Sequence, residues 1–270
     1  NCRELSSLKI PDSIISICSY AFSYCTGIKG SLIVPDTLQY LGSGAFYSCS
    51  GFDGPLIIGS NLSVISLSAF QFCSHFTGKL TIPESVVSIE SYAFSNCFGF
   101  TSDLIIPDTV MGVDYSAFSF CSGFNGSLII SSNLVIISSL TFQSCYKISG
   151  ELQITESVIS IESGAFRDCS GLAGHLIIPD TVLNVGKEAF SNCFGFNGSL
   201  FISQNLIVIN SKTFCNCSQL TGELNIPESL TTIESDSFSN CSKLTGSLRI
   251  PKSVTKIENG AFSFCSGFDG

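Results

Sequence analysis

Cysteine returns every 24 residues along this chain, at Cys25, Cys49, Cys73, Cys97, Cys121, Cys145, Cys169, Cys193, Cys217, Cys241 and Cys265. A step that constant means that each copy does the same structural job. Cys2 begins a further copy that is one residue shorter. Other columns keep the same step. Phe recurs from Phe22 to Phe262 and Leu from Leu8 to Leu248, with Ile or Val two residues after each of these leucines, as at Ile82, Ile106 and Ile130. Aliphatic columns also run through Val86, Val110 and Leu134, and through Ile89, Val113 and Ile137. One coil of a solenoid per copy accounts for all of them. Each column then stacks on itself, and stacking buries faces that no single coil could bury.

The Leu-x-Ile segment alternates inward and outward, which is strand periodicity. Stacked in register, these segments predict one parallel sheet of about eleven short strands. Pro often follows, as at Pro35, Pro83, Pro107 and Pro179, and ends the strand because it has no N–H to donate. The Ala-Phe segment, as in Ala93-Phe94, is too brief for a stable α-helix and is expected to form turns or a short helical turn on the opposite side. A Gly column precedes the strand, from Gly30 to Gly270, with Ser102 as its exception. A turn there that needs positive φ would explain the glycines and would make Ser102 either strained or locally different.

A longer period overlies the short one. Pro-Asp-Thr begins at Pro35, Pro107 and Pro179, Asn stands at Asn61, Asn133 and Asn205, and Glu-Ser begins at Glu84, Glu156 and Glu228. Each series steps by 72 residues, or three coils. Duplication of a three-coil block would produce this pattern. No composition shift or linker interrupts the series, so a single domain over 1–270 is expected. The sequence opens at Asn1-Cys2 and stops at Gly270, both inside a repeat, and is read as an excerpt of a longer chain.

Hydrophobic residues make up 44% of the 270 residues and charged residues 12%, with a net charge of −9. So apolar a chain must bury a continuous core. The acidic balance argues against nucleic acid and anionic membrane surfaces, which need clustered Lys and Arg.

Segments such as IPESLTTIESDSFSNCSKL (226–244) and IPKSVTKIENGAFSFCSGF (250–268) closely resemble the BspA-like, or Treponema-type, leucine-rich repeats. The resemblance covers essentially the whole chain. It implies a leucine-rich-repeat solenoid, mainly β, on a cell-surface or secreted protein. It also implies adhesion to a host cell-surface or extracellular-matrix protein, or to another microbe's surface protein. One extra residue between the Cys and the Pro, as in CSKLTGSLRIP, departs from the family's usual form and bears on turn geometry.

Neither the cysteines nor the histidines point to catalysis. The 14 cysteines could suggest a disulfide framework. Stacked strands, however, lie roughly 4.8 Å apart with parallel side chains, whereas a disulfide needs Cβ atoms about 3.8 Å apart and a twisted bridge. Buried thiols serving as small apolar residues fit the column better. Cys18 and Cys215 stand outside it. His75 and His175 are the only histidines, occupy different columns about four coils apart, and are expected at the surface. No enzyme, metal site or cofactor is expected. Asp36, Glu84, Asp108, Glu156, Asp180 and Glu228 share one column, and Glu90, Asp114, Glu162, Glu234 and Glu258 another; a solvated acidic face is preferred over a calcium site.

Five Asn-x-Ser sequons occur, at Asn61, Asn125, Asn197, Asn216 and Asn240. Asn125, Asn197 and Asn61 are the glycosylation candidates. Asn216 and Asn240 share a column with Asn96 and Asn192, which lack the sequon, so that column is expected to serve the turn backbone.

The residue between the inward Leu and Ile faces outward. It is Ile33, Ile57, Ile105, Ile129, Ile177 and Phe201, interrupted by Thr81, Gln153 and Asn225. An apolar outward stripe is a contact surface for a protein partner or an ordinary consequence of β-propensity. Two functions follow: a recognition module that binds through this stripe, with Phe201 as the strongest anchor, or a structural spacer that self-associates.

Overall fold

The computed structural model describes residues 4–269. The chain divides into two compact units, Asn1–Leu134 and Val135–Gly270. Each is a mainly-β parallel solenoid.

In the first unit the Leu-x-Ile strands pair in twos. Leu32–Ile33 lies parallel to Leu56–Ile57, and Leu104–Ile105 to Leu128–Ile129. The coil of Leu80-Thr81-Ile82 keeps the same burial alternation, with Thr81 exposed, but forms no strand. A second strand column, which sequence reading left as an aliphatic column, is the more continuous one. In it Val64–Ile65 pairs with Ser88–Ile89, and that with Gly112–Val113.

The second unit repeats this plan. Leu172–Ile177 pairs with Phe196–Phe201, while the coils of Gln153 and Asn225 carry no strand at those positions. Ile136–Ile137, Ser160–Ile161 and Asn184–Val185 form one three-stranded ladder of the second column, and Val208–Ile209, Thr232–Ile233 and Lys256–Ile257 another. The expected single sheet of eleven Leu-x-Ile strands is therefore a series of Leu-x-Ile pairs interrupted at every third coil, beside a second column. On the Leu-x-Ile side the third coil bonds to the next one only ahead of that position, through Gly78 to Phe100, Gly150–Glu151 to Leu172–Ala173 and Gly222–Glu223 to Leu244–Thr245.

Hydrogen bonds at both ends of each pair explain the break. Before the strands, Gly30 N–H donates to Asp53 Oδ1 at 2.8 Å, Ser102 N–H to Asn125 Oδ1 at 2.8 Å and Gly174 N–H to Asn197 Oδ1 at 3.0 Å. After them, Ser60, Ser132 and Gln204 N–H donate to Oδ1 of Asp36, Asp108 and Asp180, each at 2.7 Å. The first coil of each triplet is thus clamped to the second at two points, whereas the third has Thr or Ser in place of the first acceptor, at Thr77, Ser149 and Thr221, and the longer Glu in place of the second, at Glu84, Glu156 and Glu228. The 72-residue period in polar residues is the pattern of these clamps. The clamp also sets the role of the glycine before the strand. A Cβ on Gly54 would come within 2.8 Å of the Gly30 backbone, and one on Gly126 within 2.8 Å of Asp103 N. These glycines permit close approach. Gly30, Gly78 and Gly150 instead supply positive φ. Ser102 takes that left-handed conformation too, at φ 70, so of the two alternatives it is the strained coil, at a cost of roughly 1–2 kcal/mol.

The Ala-Phe segment forms turns and no helix. Ala93, Ser95 and Cys97 N–H close successive turns on Glu90, Tyr92 and Phe94 carbonyls. The intervening N–H groups of Tyr92, Phe94 and Asn96 donate instead to Tyr115, Ala117 and Ser119 in the next coil, at 2.8–3.0 Å. Tyr92 and Asn96 have φ near 60, and the equivalent residues of other coils, Phe72 and Phe120 among them, share that conformation. Alternating handedness forbids a helix, and the inter-coil bonds hold bulky residues in a conformation they otherwise avoid.

Phenylalanines fill the core. Phe70 stacks on Phe94 at 5.4 Å in the first unit, and Phe166 on Phe190 at 5.3 Å in the second. A second stack, Phe52, Phe76, Phe100 and Phe124, which sequence reading did not single out, runs beside the first with centroid spacings of 5.4–5.8 Å. Cys49, Cys73, Cys97, Cys169, Cys193 and Cys241 are buried free thiols. They are not purely apolar fillers: Cys73 and Cys97 Sγ–H donate to the Phe46 and Phe70 carbonyls at 3.0 Å, and Cys193 to Phe166 at 3.1 Å. Burial pushes the Cys49 and Cys217 thiols up to about 12. Cys2 lies outside the described residues.

Candidate protein-binding face

The outward strand position is where alternation puts it. In the first unit Ile33, Ile57 and Ile129 are exposed at 56%, 50% and 50%. Ile105 is only half-buried. Register sets Ile33 beside Ile57 and Ile105 beside Ile129, so the apolar residues come as neighbouring pairs on clamped strands. In the second unit Ile177 and Phe201 are the matching pair, exposed at 48% and 51%. The polar interruptions, Thr81, Gln153 and Asn225, fall on the third coils, which form no strand at that position.

The pair in the second unit borders a concavity. A groove of about 480 Å³ is lined by Ile177, Phe201, Pro179, Asp180, Gln204 and Asn225, among others. The clamp shapes its edge, because the bond from Gln204 N–H holds the Asp180 carboxylate in place. The ring of His175 rests against Phe201 with centroids 5.9 Å apart and restrains it.

The remaining chemical residues serve the backbone. His75 Nδ1–H donates to the Ser50 carbonyl at 2.6 Å, and His175 Nδ1 accepts Ser199 N–H at 3.0 Å. Each ring is thereby tied to a neighbouring coil, and the two use opposite tautomers. The Glu column is a set of backbone caps. Glu90 accepts Leu67 N–H at 2.7 Å, Glu162 accepts Ser139 N–H at 2.9 Å and Glu234 accepts Ser211 N–H at 2.9 Å. Burial, and then Glu90, holds the Asp114 carboxyl above its usual range. Among the described residues no three or more His, Cys, Asp or Glu side chains are grouped to hold a metal ion.

The sequons divide by geometry. Asn61, Asn125 and Asn197 are exposed. Asn125 and Asn197 use Oδ1 in the clamps. Asn216 and Asn240 belong to a side-chain ladder: Asn192 Nδ2 donates to Asp168 at 2.7 Å, Asn216 Nδ2 to Asn192 at 2.7 Å and Asn240 Nδ2 to Asn216 at 3.0 Å. That column was expected to serve the turn backbone; its amides bond to one another instead.

Sequence reading missed a second exposed apolar column. It includes Ile15, Val87 and Met111 in the first unit and Val135, Ile159, Leu183 and Ile207, on four successive coils, in the second. Its signal was the aliphatic doublet: each follows directly on an aliphatic residue, as in Val86-Val87 and Val182-Leu183.

The family described as BspA type leucine rich repeat region matches residues 1–125, 63–197 and 135–269, with six copies. Among solved structures, a leucine rich cell surface protein from Faecalibacterium prausnitzii aligns with 98% of this chain and 78% of its own at 27% identity, with a TM-score of 0.60. A leucine-rich repeat protein from Bacteroides ovatus aligns with 93% of this chain and 80% of its own at 21% identity, TM-score 0.52, a likeness of fold. No curated protein sequence matches the chain.

Proposed function

Because the chain belongs to the BspA-type leucine-rich-repeat family, we propose that it is a cell-surface or secreted recognition module. It binds a host cell-surface or matrix protein, or another microbe's surface protein, through its outward Leu-x-Ile residues. Membership itself suggests a protein-binding or adhesion-type module, and solenoids of this family are typically non-enzymatic. The Faecalibacterium relative is described as a cell surface protein. No helix among the described residues is long and apolar enough to cross a membrane.

One observation carries the reading. Ile33 beside Ile57, and Ile177 beside Phe201, are half-exposed large apolar side chains on strands held rigid by clamps at both ends. Rigid apolar anchors that lose little freedom on contact are what dominates protein interfaces. The test uses Ile57→Glu, Ile129→Glu and Phe201→Glu, singly and together. Ile105 is left out because its half-buried side chain also packs. The folded triple variant should adhere to cultured epithelial cells and immobilised matrix protein at least tenfold more weakly, about 1.4 kcal/mol. Undiminished adhesion would move the site to the Val135–Ile207 column.

A further inference from the structure

The rims of the face in the second unit carry a charge pattern that specifies the partner. Across the four coils of Gln153, Ile177, Phe201 and Asn225, the residues flanking the strand on either side include Glu151, Glu156, Asp180, Glu223 and Glu228, all exposed. No Lys or Arg stands at the rim positions of Glu151 or Glu156 in these coils; Lys147 lies four residues before Glu151, and Arg167, Lys187 and Lys212 belong to the Ala-Phe turns. Asn225 lines both the groove at Ile177 and Phe201 and a second one of about 360 Å³, which is also lined by Glu223, Glu228 and Arg249. A largely apolar floor thus lies between carboxylates. The clamp uses only Oδ1 of Asp180, which leaves that side chain oriented and its second oxygen available.

Resting on the reading that this face docks protein, we infer that the occupant of the second unit is a cationic–apolar segment. A large apolar side chain seats against Ile177 and Phe201, and Lys or Arg residues on either side of it meet the rim carboxylates. An acidic segment would bring like charges against five rim carboxylates and be rejected, so charge sets specificity while the apolar anchor supplies affinity. A Lys or Arg stem can also lie over the exposed Phe201 ring.

The experiment titrates the full chain with three capped nonapeptides, followed by backbone amide resonances at low and moderate salt. One contains three Leu and three Lys spaced by Ser, the second has Glu for Lys, and the third has Ser for Leu. The Leu/Lys peptide should shift resonances around Ile177, Asp180 and Phe201. It should bind at least tenfold more tightly than the other two, and weaken with salt. Asp180→Asn with Glu228→Gln keeps shape and hydrogen-bond acceptors and should erase most of the preference over the Glu peptide. If the Glu peptide binds the same groove as well as the Lys peptide, the charge inference falls and docking on this face stands. If no peptide shifts these resonances, or shifts appear only around Val135, Ile159, Leu183 and Ile207, both fall.

Discussion

The Asp36 carboxylate accepts the Ser60 backbone N–H at 2.7 Å and the Ser60 hydroxyl at 3.0 Å, one full coil away. It is a side-chain bond doing what ladder bonds do elsewhere. Asp36→Ala should lower the thermal midpoint and speed exchange of the Ser60 amide, whereas Asp36→Asn, which keeps an acceptor oxygen but loses the charge, should have a smaller effect of the same sign. Equal effects of Ala and Asn would mean that charge, and not the acceptor, holds the coils together.

Acid should loosen the same bonds. Ser60 and Ser132 hold the Asp36 and Asp108 carboxyls below their ordinary value of 3.8, chiefly through the backbone N–H. A depressed folded-state pKa means that this contribution is present above the unfolded value and is lost as pH falls through the folded one. Amide exchange at Ser60 and Ser132 should therefore stay slow from neutral pH to about 4, after allowance for intrinsic rates, and rise below it. No extra loss below that range would refute the clamp as a charged bond.

Phe166 is fully buried and stacked between Phe142 at 5.4 Å and Phe190 at 5.3 Å. Phe166→Ala should cost roughly 3–5 kcal/mol, and Phe166→Leu considerably less. Chemical denaturation reads both, and an unchanged midpoint for the alanine variant would sink the stacked-core account.

Thiol reactivity should split the cysteines. Cys18 is exposed, whereas Cys73, Cys97 and Cys193 are buried and their thiols lie well above the ordinary range because of desolvation. Alkylation of the native protein, mapped by mass spectrometry, should label Cys18 within minutes and leave those three untouched until denaturant is added. Labelling of Cys97 in the native protein would show an open core. Resistance in denaturant without reductant would show disulfides.

Glycan occupancy should follow the amide nitrogens. In a eukaryotic secretory host, Asn197 should be modified, because the clamp uses its oxygen, and Asn61 and Asn125 are exposed as well. Asn216 and Asn240 commit Nδ2 to the ladder, so chains modified there should fold poorly and be missing from the secreted pool. Occupancy of Asn240 in well-folded protein would contradict the ladder.

The coil, its Phe, Leu and Cys columns and the outward Ile33 and Phe201 were legible in sequence because a constant step states burial directly. The second strand column was not. Two residues such as Ser88-Ile89 are too few for alternation to register, and their strand identity comes from the coil above. The clamps were visible as a period of 72 but not as bonds, since spacing does not say which oxygen of Asp53 or Asn125 meets which N–H. Tyr92 and Phe120 are poor choices for positive φ by local preference, and only the inter-coil bonds at the turns explain why they adopt it.

Triplet clamping also limits how such a gene can change length. Loss of a second-type coil would remove the acceptor of the N–H group equivalent to Gly30, and loss of a first-type coil that of the N–H group equivalent to Ser60. Recombination between misaligned copies is tolerated when it shifts the frame by 72 residues, the spacing from Asp36 to Asp108, because every clamp donor then keeps its partner and every coil its type of neighbour. Length variants of this protein should differ by whole triplets, each bringing one more Ile33–Ile57 type of anchor pair. Copy number would then act as a dial on how many contacts the molecule can make at once.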